Sequence, residues 1–441
     1  MRDLSQKTAK HWLNAVKKGE LLMKKWFVLF LALCFALPMV SVAEDTNNVV
    51  RVACGTGQYE MWYRALEEKC EAETGLEIEF VEVSGGLEAV MMEYLSGGAS
   101  NIDVWNIDGP NIPEMAKNGY ILPLEDYMSE ESKQDFFPAA LDAVSYNGEI
   151  YASPYVVHGL SLFYNKAMLE EAGITKIPTT IEEITEAARK LTNPEKGVYG
   201  IAVEGAQHEE PAGHLIDWIV RFGGQGLLDK ESNLVFGDQA TVDTFQWLHD
   251  LVYKEKVAPP ECVGWLNGET ATALQQGRIA MCLNWPYLYE ECKKPDATAE
   301  SVIGNIGVAA LPPTNCVWAW CWGISSTSKN SDGAAKFIEW ACNEEQITNI
   351  GTELLIPVCR ASAKANIQAS AELNEADREA SQSLTETLEQ GYAPGLSTNY
   401  SSLRSTIGET LSYIMTSEKV DVAAAVEKCT AELQEMLAEE E

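Results

Sequence analysis

Hydrophobic and polar positions follow two different periods along the first third of the chain. Continuous or alternating apolar runs predict strands, and apolar residues three or four positions apart predict helices. The predicted order is a strand at 49–54, a helix at 59–74, a strand at 76–83, a helix at 86–95 and a strand at 102–107. Because strand–helix–strand order is typical of parallel β-α-β units, we predict an α/β fold.

Helical periodicity dominates the later part of the chain. Thr180 and Glu183 have the spacing of a capping box before an apolar-periodic run. Further helices are predicted at 215–222, 242–254, 334–342, 381–390, 403–415 and 422–437. Residues 301–328 are uncharged, but Pro312-Pro313 and several polar side chains disfavour a single helix, in a membrane or in water. We therefore expect two buried strands around a proline-containing turn there.

The N-terminal residues predict a secretory signal peptide. A charged segment at 23–25 precedes an apolar run at 26–40 and a small-x-Ala sequence that ends at Ala43. The apolar run is shorter than the roughly 20 residues that a membrane span needs. Residues 1–43 are thus interpreted as an upstream extension plus a signal peptide, with Met23 as the expected translation start.

Removal of this segment makes the protein more acidic. The net charge is −34 for all 441 residues and becomes −39 for the remaining 398. Nucleic-acid and anionic-membrane binding are disfavoured, since both need clustered Lys and Arg. Leu33 precedes Cys34 where a lipoprotein signal has a small residue, so we expect an exported, soluble protein without a lipid anchor.

Ten cysteines remain after the signal peptide is removed. Their even number in an exported protein permits disulfides, with Cys316 and Cys321 flanking one aromatic segment and Cys282 and Cys292 another. Buried free thiols are the alternative. No C-x-x-C sequence occurs, so neither a zinc ribbon nor a thioredoxin-type site is predicted.

Several short blocks occur in an order that resembles one known family. They are NIDV at 101–104 with Asp108, MAKNGYILPL at 115–124, YNGEIYASP at 146–154, LFYNK at 162–166, AGI at 172–174, PTT at 178–180, GRIAMCLNW at 277–285, and WGIS at 322–325 with AAKFI at 334–338. Together they resemble the family 1 extracellular solute-binding proteins. These are the capture subunits of ABC importers, and maltodextrin- and trehalose-binding proteins are among them.

The resemblance implies a two-lobed periplasmic-binding-protein fold of type II, with the ligand cleft between lobes joined by crossover strands. Lobe 1 is expected at 44–155 and about 311–356, and lobe 2 at about 158–310 and 360–441. The implied function is capture of a carbohydrate by hinge closure and delivery to an ABC permease. We expect a monomer without enzyme activity or cofactor. No P-loop sequence occurs, so the ATPase is expected on another chain.

Sugar recognition needs flat aromatic faces and planar hydrogen-bonding groups, and the resemblance assigns some of each. Asp108 resembles the family aspartate that hydrogen-bonds a sugar, although it could instead cap a helix. His158 stands at the first crossover, where the maltodextrin-binding protein has a glutamate, or it is a hydrogen-bonded hinge histidine. Trp285 or Tyr287 matches the tryptophan that stacks on ligand, with core packing as the alternative.

The remaining candidates lie at other predicted loop and strand ends. Tyr400 and Arg404 resemble a late aromatic residue and an arginine of the family, either in the cleft or in lobe packing. The alternating residues Trp318, Trp320 and Trp322 share one face of a strand, and Trp320 and Trp322 are the candidates for the cleft.

Two shorter segments complete the set of candidates. Gln58 and Tyr59 follow the first strand, where family ligands bind, and Gly57 permits close backbone approach. The segment 208–214 is interpreted as a polar loop entering a helix, from which Gly213 or His214 contacts ligand. No histidine pair has one-turn spacing, so no metal is predicted.

Two other functions remain open from the sequence. An exported glycosidase needs two opposed carboxylates, which an acidic chain supplies without specificity. A polyamine or another cation is the alternative cargo, because the negative field attracts cations, whereas the supply of tryptophan favours sugars.

Overall fold

The chain folds into two main β-sheets covered by helices. A computed structural model describes residues 48–83, 87–97, 101–229, 232–311, 317–389 and 397–439. The predicted signal peptide, the upstream extension and Cys316 lie outside the described residues. The strands are β1 (Val49–Cys54), β2 (Glu77–Glu82), β3 (Val104–Asp108), β4 (Ser145–Tyr146), β5 (Glu149–Ile150), β6 (Ser153–His158), β7 (Ser161–Asn165), β8 (Met281–Asn284), β9 (Ile306–Ala309) and β10 (Trp318–Ile324).

Helices account for most of the remaining described residues. They are α1 (Gln58–Ala65), α2 (Glu67–Thr74), α3 (Leu87–Ser96), α4 (Ile112–Lys117), α5 (Glu130–Asp135), α6 (Pro138–Asp142), α7 (Lys166–Glu171), α8 (Ile181–Leu191), α9 (Glu209–Arg221), α10 (Gln239–Tyr253), α11 (Asn267–Gln275), α12 (Leu288–Glu291), α13 (Ser331–Ala341), α14 (Glu344–Glu353), α15 (Ala361–Ala369), α16 (Glu375–Glu389), α17 (Tyr400–Thr416) and α18 (Val422–Ala438). A membrane-spanning helix is not found among the described residues, since none combines sufficient length with sufficient apolarity.

The first sheet has the strand order β2-β1-β3-β10-β6. β1 pairs in parallel with β2 and β3, which confirms the predicted β-α-β units. β10 is antiparallel to both of its neighbours, so its N-terminal end lies beside the carboxyl ends of β3 and β6. One edge of the sheet therefore collects the segments that follow β1, β3 and β6, together with the start of β10.

The second sheet is smaller and antiparallel, with the order β8-β7-β9. The chain passes to it from β6 through only two residues, Gly159 and Leu160. Ser161 at the start of β7 pairs with Asn284 at the end of β8. The segment after β8 thus lies at the crossing between the two sheets, next to His158 at the end of β6.

Helix α9 lies against α17 and α10 on the second sheet's side of the molecule. Gly408 of α17 packs against the backbone of His208, and a Cβ atom there would lie 2.1 Å from the His208 carbonyl oxygen. Ser401 donates a hydrogen bond of 2.9 Å to the Glu209 carboxylate. This close approach brings the first turns of α9 and α17 together.

Local signals in the sequence located several helix ends, although five of the predicted helices begin three to six residues later than the observed ones. Thr180 and Glu183 form the predicted capping box of α8, and the Asn165 side chain caps α7 by accepting a hydrogen bond from the Met168 backbone N–H. Gly75 adopts a left-handed conformation with φ of 69° at the end of α2. Residues 301–328 contain two strands, β9 and β10, as predicted, although these belong to different sheets.

Two further local predictions were wrong. The helix predicted at 59–74 is divided into α1 and α2 at Leu66. The segment predicted as a polar loop is the first turn of α9, because His208 caps the helix and two glutamates in the first turn interact favourably with its dipole.

Nine cysteines in the described residues are buried free thiols. Cys282 and Cys292 are among them, so the aromatic segment between them is not closed by a disulfide. Burial raises the thiol pKa values of both residues, which keeps them protonated and unreactive. The structure thus supports the reading of buried free thiols for these nine.

Residues just after α14 remain attached to the first sheet's side of the molecule. Arg360 donates hydrogen bonds to Asp135 at 3.1 Å and to the Ser132 hydroxyl at 2.8 Å. Helix α15 packs on α14, whereas α16 contacts β9 of the second sheet and also β6 of the first sheet. The chain therefore turns toward the second sheet after α15.

Candidate functional site

The edge shared by β3, β6 and β10 carries several of the candidate residues. Trp320 of β10 pairs with Asp108 of β3, and Trp318 pairs with His158 of β6. Asp108 is the N-cap residue of a short 3-10 turn at Gly109–Asn111, but its side chain makes no capping hydrogen bond. In α/β folds the carboxyl ends of strands are where ligands bind. This edge is therefore one wall of the candidate site.

The three alternating tryptophans share a face of β10 but differ in depth. Trp318 is close to Tyr400 of α17, with 6.1 Å between ring centroids. Trp320 keeps part of its side chain exposed. Trp322 has no exposed surface and stacks on Tyr155 at 5.0 Å. Trp322, a candidate for the cleft, thus lies in the core of the first lobe, because the strand carries alternate side chains from the cleft edge into the interior.

A buried polar network lies beneath the segment after β1. Asn106 donates a hydrogen bond of 2.8 Å to the Glu60 carboxylate and accepts one of 3.0 Å from the Tyr155 hydroxyl. A Cβ atom on Gly57 would lie 2.5 Å from a Glu60 carboxylate oxygen. Gly57 thus gives room to Glu60, a residue that the sequence analysis did not select.

The two candidates that adjoin this network are partly buried. Gln58 begins α1, and its Nε2 atom is buried without a hydrogen-bond partner among the described residues. Tyr59 packs against the core with part of its side chain accessible, and burial raises its pKa. Gln58 therefore has an unpartnered polar group near the carboxyl end of β1.

Trp285 stands at the crossing between the two sheets. Its backbone N–H donates a hydrogen bond of 2.7 Å to the Asn284 side chain, which itself donates to Thr270 at 3.0 Å. The Trp285 ring meets His158 edge-to-face at 4.7 Å and His214 at 5.4 Å. A fixed, partly exposed indole is thus held between histidines from β6 and α9.

Both histidines beside Trp285 are neutral. Burial lowers the pKa values of His158 and His214 to about 3. The Nδ1 atom of His158 is buried without a hydrogen-bond partner among the described residues. A neutral imidazole offers one donor and one acceptor, which suits hydroxyl groups.

Tyr400 and Arg404 occupy the first two turns of α17. Tyr400 is buried, and the guanidinium of Arg404 lies 5.5 Å from the centre of the Trp318 ring. The Nε atom of Arg404 donates to the Glu209 carbonyl oxygen at 3.3 Å. The Trp318 indole nitrogen has no hydrogen-bond partner among the described residues. Tyr400 and Arg404 therefore both pack against the neighbouring elements and lie beside the cleft.

One buried and one half-buried carboxylate, Glu204 and Glu210, complete the wall formed by the second lobe. Glu204 is 5% exposed, and burial, followed by repulsion from Glu210, raises its pKa well above the usual range. Burial also raises the pKa of Glu210 to about 7, although a hydrogen bond from Trp285 and the charge of Arg404 oppose that change. Tyr287, half-buried, has a raised pKa from burial and from these two carboxylates.

The structure therefore gathers most of the candidates around two walls. Those brought together at the sheet edge or at the crossing are Asp108, His158, His214, Trp285, Tyr287, Trp320, Tyr400 and Arg404. Sequence reasoning had no indication of the carboxylates Glu60 and Glu204, and Glu210 was set aside when a metal in the segment 208–214 was discounted. The four-residue spacing of Glu210 and His214 was the one signal available for that pair, since it places both on one helix face.

The fold and this arrangement define a two-lobed solute-binding protein of the type II periplasmic-binding class. Maltose-bound T. maritima MalE3 has a similar structure, with a TM-score of 0.78 and 21% identity over 88% of this chain and 100% of that chain. Residues 56–347 match the family described as bacterial extracellular solute-binding protein. The chain belongs to this family, which confirms the resemblance noted in the sequence.

Curated relatives agree with this assignment. The maltotriose-binding protein of Pyrococcus abyssi is 24% identical over 329 residues, which are 69% of this chain and 67% of that protein. A probable ABC transporter-binding protein of Deinococcus radiodurans is 24% identical over 295 residues, 62% of this chain. The chain spans 66% of the length of the second relative.

Proposed function

We propose that this protein captures a carbohydrate in the cleft between its lobes and delivers it to an ABC permease. The observation that carries the proposal is Trp285, an indole fixed at the crossing between the sheets with part of its surface exposed. Its ring offers a face for the C–H surface of a sugar. Neutral histidines and carboxylates around it supply acceptors and donors for hydroxyl groups.

Hinge closure is the proposed mechanism. The chain crosses between the sheets after His158 and again between β9 and β10, which supports two lobes that rotate about these segments. We propose lobe 1 at 44–155 and about 311–369, and lobe 2 at about 158–310 and 370–441, so that the last crossing follows α15 instead of residue 360. A ligand that contacts both walls stabilises the closed state by its differential affinity for it.

We also propose that the protein is exported and that the ATPase of the importer is a separate chain. Members of this family are typically exported, and the signal-peptide pattern at 23–43 agrees with that location. We expect the processed protein to be a monomer that presents its closed form to the permease. Size-exclusion chromatography with light scattering measures the oligomeric state, and a stable dimer would contradict this expectation.

The decisive experiment is a ligand screen with one variant in the site. Maltose, maltotriose, mannitol and spermidine are tested by thermal shift, and hits are titrated calorimetrically. Trp285→Ala is expected to weaken sugar affinity by about 1–3 kcal/mol, taking aromatic stacking on a base as the guide. Tyr413→Ala, which changes an aromatic residue that is 59% exposed on α17, is the matched control and should bind normally. Unchanged affinity in Trp285→Ala would remove this residue from the site.

A cationic solute is the second candidate cargo. Glu204, which is buried, and Glu210, which is half-buried, form an acidic pair, and a positive group beside them would offset their desolvation. Binding of spermidine, with no response to any sugar, would favour this alternative.

A further inference from the structure

Three metal-ligating side chains converge beside Trp285. Glu204 lies next to β8, and Glu210 and His214 lie one turn apart on α9. One oxygen or nitrogen atom from each of the three residues lies within 4.8 Å of the other two. A strand-side carboxylate and a helical Glu-x-x-x-His pair therefore form one cluster in the second lobe.

The cluster contains buried polar atoms that lack partners. Glu204 Oε2, Glu210 Oε1 and His214 Nε2 have no hydrogen-bond partner in the part of the chain that the structure describes. Glu204 is 5% exposed and His214 is 4% exposed. A buried polar group without a partner costs about 1–3 kcal/mol. A ligand that contacts several of these atoms at once would remove that cost.

The spacing within the cluster suits a small cation better than a hydrogen bond. His214 Nδ1, which is not the unpartnered ring nitrogen, lies 3.4 Å from Glu204 Oε1, the oxygen that also accepts a hydrogen bond from Thr270. A good N–H···O hydrogen bond is shorter, about 2.7–3.2 Å. Two ligands bonded at about 2.1 Å to a tetrahedral ion are about 3.4 Å apart. A cavity of about 10 Å³ borders Glu204 and His214, and Glu210 is not part of its lining.

The surrounding side chains hold these ligands in place. The Thr270 hydroxyl donates a hydrogen bond of 3.2 Å to Glu204 Oε1, and the Trp285 side chain donates to the Glu210 carboxylate. Such outer contacts orient metal ligands. When both carboxyl groups release their protons on metal binding, they and a neutral imidazole carry a charge that one divalent ion balances, and the imidazole favours a transition metal over Mg²⁺ or Ca²⁺.

We propose that Glu204, Glu210 and His214 bind one divalent transition-metal ion, with Zn²⁺ as the best match. Three protein ligands leave the fourth position of a tetrahedral ion open. A water molecule or a hydroxyl group of a bound solute can fill that position. The site does not depend on which solute the cleft takes, so it is tested without one.

The test is a calorimetric titration of the purified protein with ZnCl₂ after EDTA treatment and dialysis. One equivalent of Zn²⁺ should bind. Glu204→Gln and His214→Gln should each lower the affinity about tenfold or more, since each removes a ligand. Glu186→Gln changes a carboxylate that is 65% exposed on α8 and is the matched control, with affinity expected to equal that of the unmodified protein.

A second measurement keeps the test independent of how the variants fold. Co²⁺ added to the unmodified protein should give the intense visible absorption of a tetrahedral N/O site, and Zn²⁺ should displace it. Absence of one-to-one Zn²⁺ binding, or a weak octahedral Co²⁺ spectrum, would overturn the proposal. So would unchanged Zn²⁺ affinity in folded Glu204→Gln and His214→Gln. Binding of glucosamine in EDTA without any Zn²⁺ binding would assign the cluster to an ammonium group instead.

Discussion

Trp322 and Trp320 lie on the same strand, and replacing each in turn distinguishes a residue of the core from a residue of the cleft. Trp322 has no exposed surface, and its ring meets Tyr63 at 5.5 Å and Phe337 at 5.6 Å in addition to its stack on Tyr155. Trp322→Ala would leave a cavity among these rings. We expect a loss of about 3–5 kcal/mol in the free energy of unfolding, the usual cost of truncating a buried aromatic residue.

Trp320→Ala is expected to behave in the opposite way. The side chain keeps part of its surface exposed at the edge where Asp108 lies, so less apolar surface is lost from the core. The free energy of unfolding should fall by about 1 kcal/mol. Affinity for the sugar found by the screen should fall by about 1–3 kcal/mol if the indole stacks on it.

Urea unfolding followed by far-UV circular dichroism measures both variants, because loss of a tryptophan alters the fluorescence signal itself. Trp322→Phe is included in case Trp322→Ala does not fold, and it should retain part of the lost stability. A free energy of unfolding for Trp322→Ala within about 1 kcal/mol of that of the unmodified protein would contradict this prediction, since the ring would then not be part of a tightly packed core.

Two further predictions concern the second lobe. Burial raises the pKa of Glu210 from 4.5 to about 7, so the folded state retains a proton that the unfolded chain releases. The free energy of unfolding should therefore fall by about 1–3 kcal/mol as the pH rises through this window. Glu210→Gln should reduce this fall. Urea unfolding in EDTA at pH 5 and at pH 7.5 measures both effects. Gly408→Ala places a methyl group against the His208 carbonyl and should lower the free energy of unfolding by about 1–3 kcal/mol in the same assay. Gly268→Ala is the control. No atom lies within 4 Å of its added carbon, so the loss of stability should be smaller.

Strand and helix patterns were predictable where local physics decides them. The parallel arrangement of β1, β2 and β3 follows from the order of apolar runs, and the α8 capping box follows from Thr180 and Glu183. The break at Leu66 was not predictable, because the apolar period continues across it. The early start of α9 was missed, because consecutive acidic residues are equally typical of a loop and of the first turn of a helix.

The residues of the site were predictable in part. Asp108, His158 and Trp285 stand at the ends of strands, and the sequence indicates strand ends well. Trp322 was selected because alternation gives the face of a strand, but alternation does not give the distance of a residue from the cleft edge. Glu204 carried no signal, since 66 acidic residues make any one of them inconspicuous.

The sequence by itself determined the class of this protein: the α/β order, the family to which it belongs, and an acidic composition unsuited to nucleic acid. Only the tertiary structure decided which side chains meet. Glu204, Glu210, His214 and Trp285 come from separate elements, and they converge because β8 pairs with β7 at the crossing between the sheets and α9 packs beside them. Long-range packing sets such distances and the burial that changes pKa values, and neither is encoded in the local pattern of a single segment.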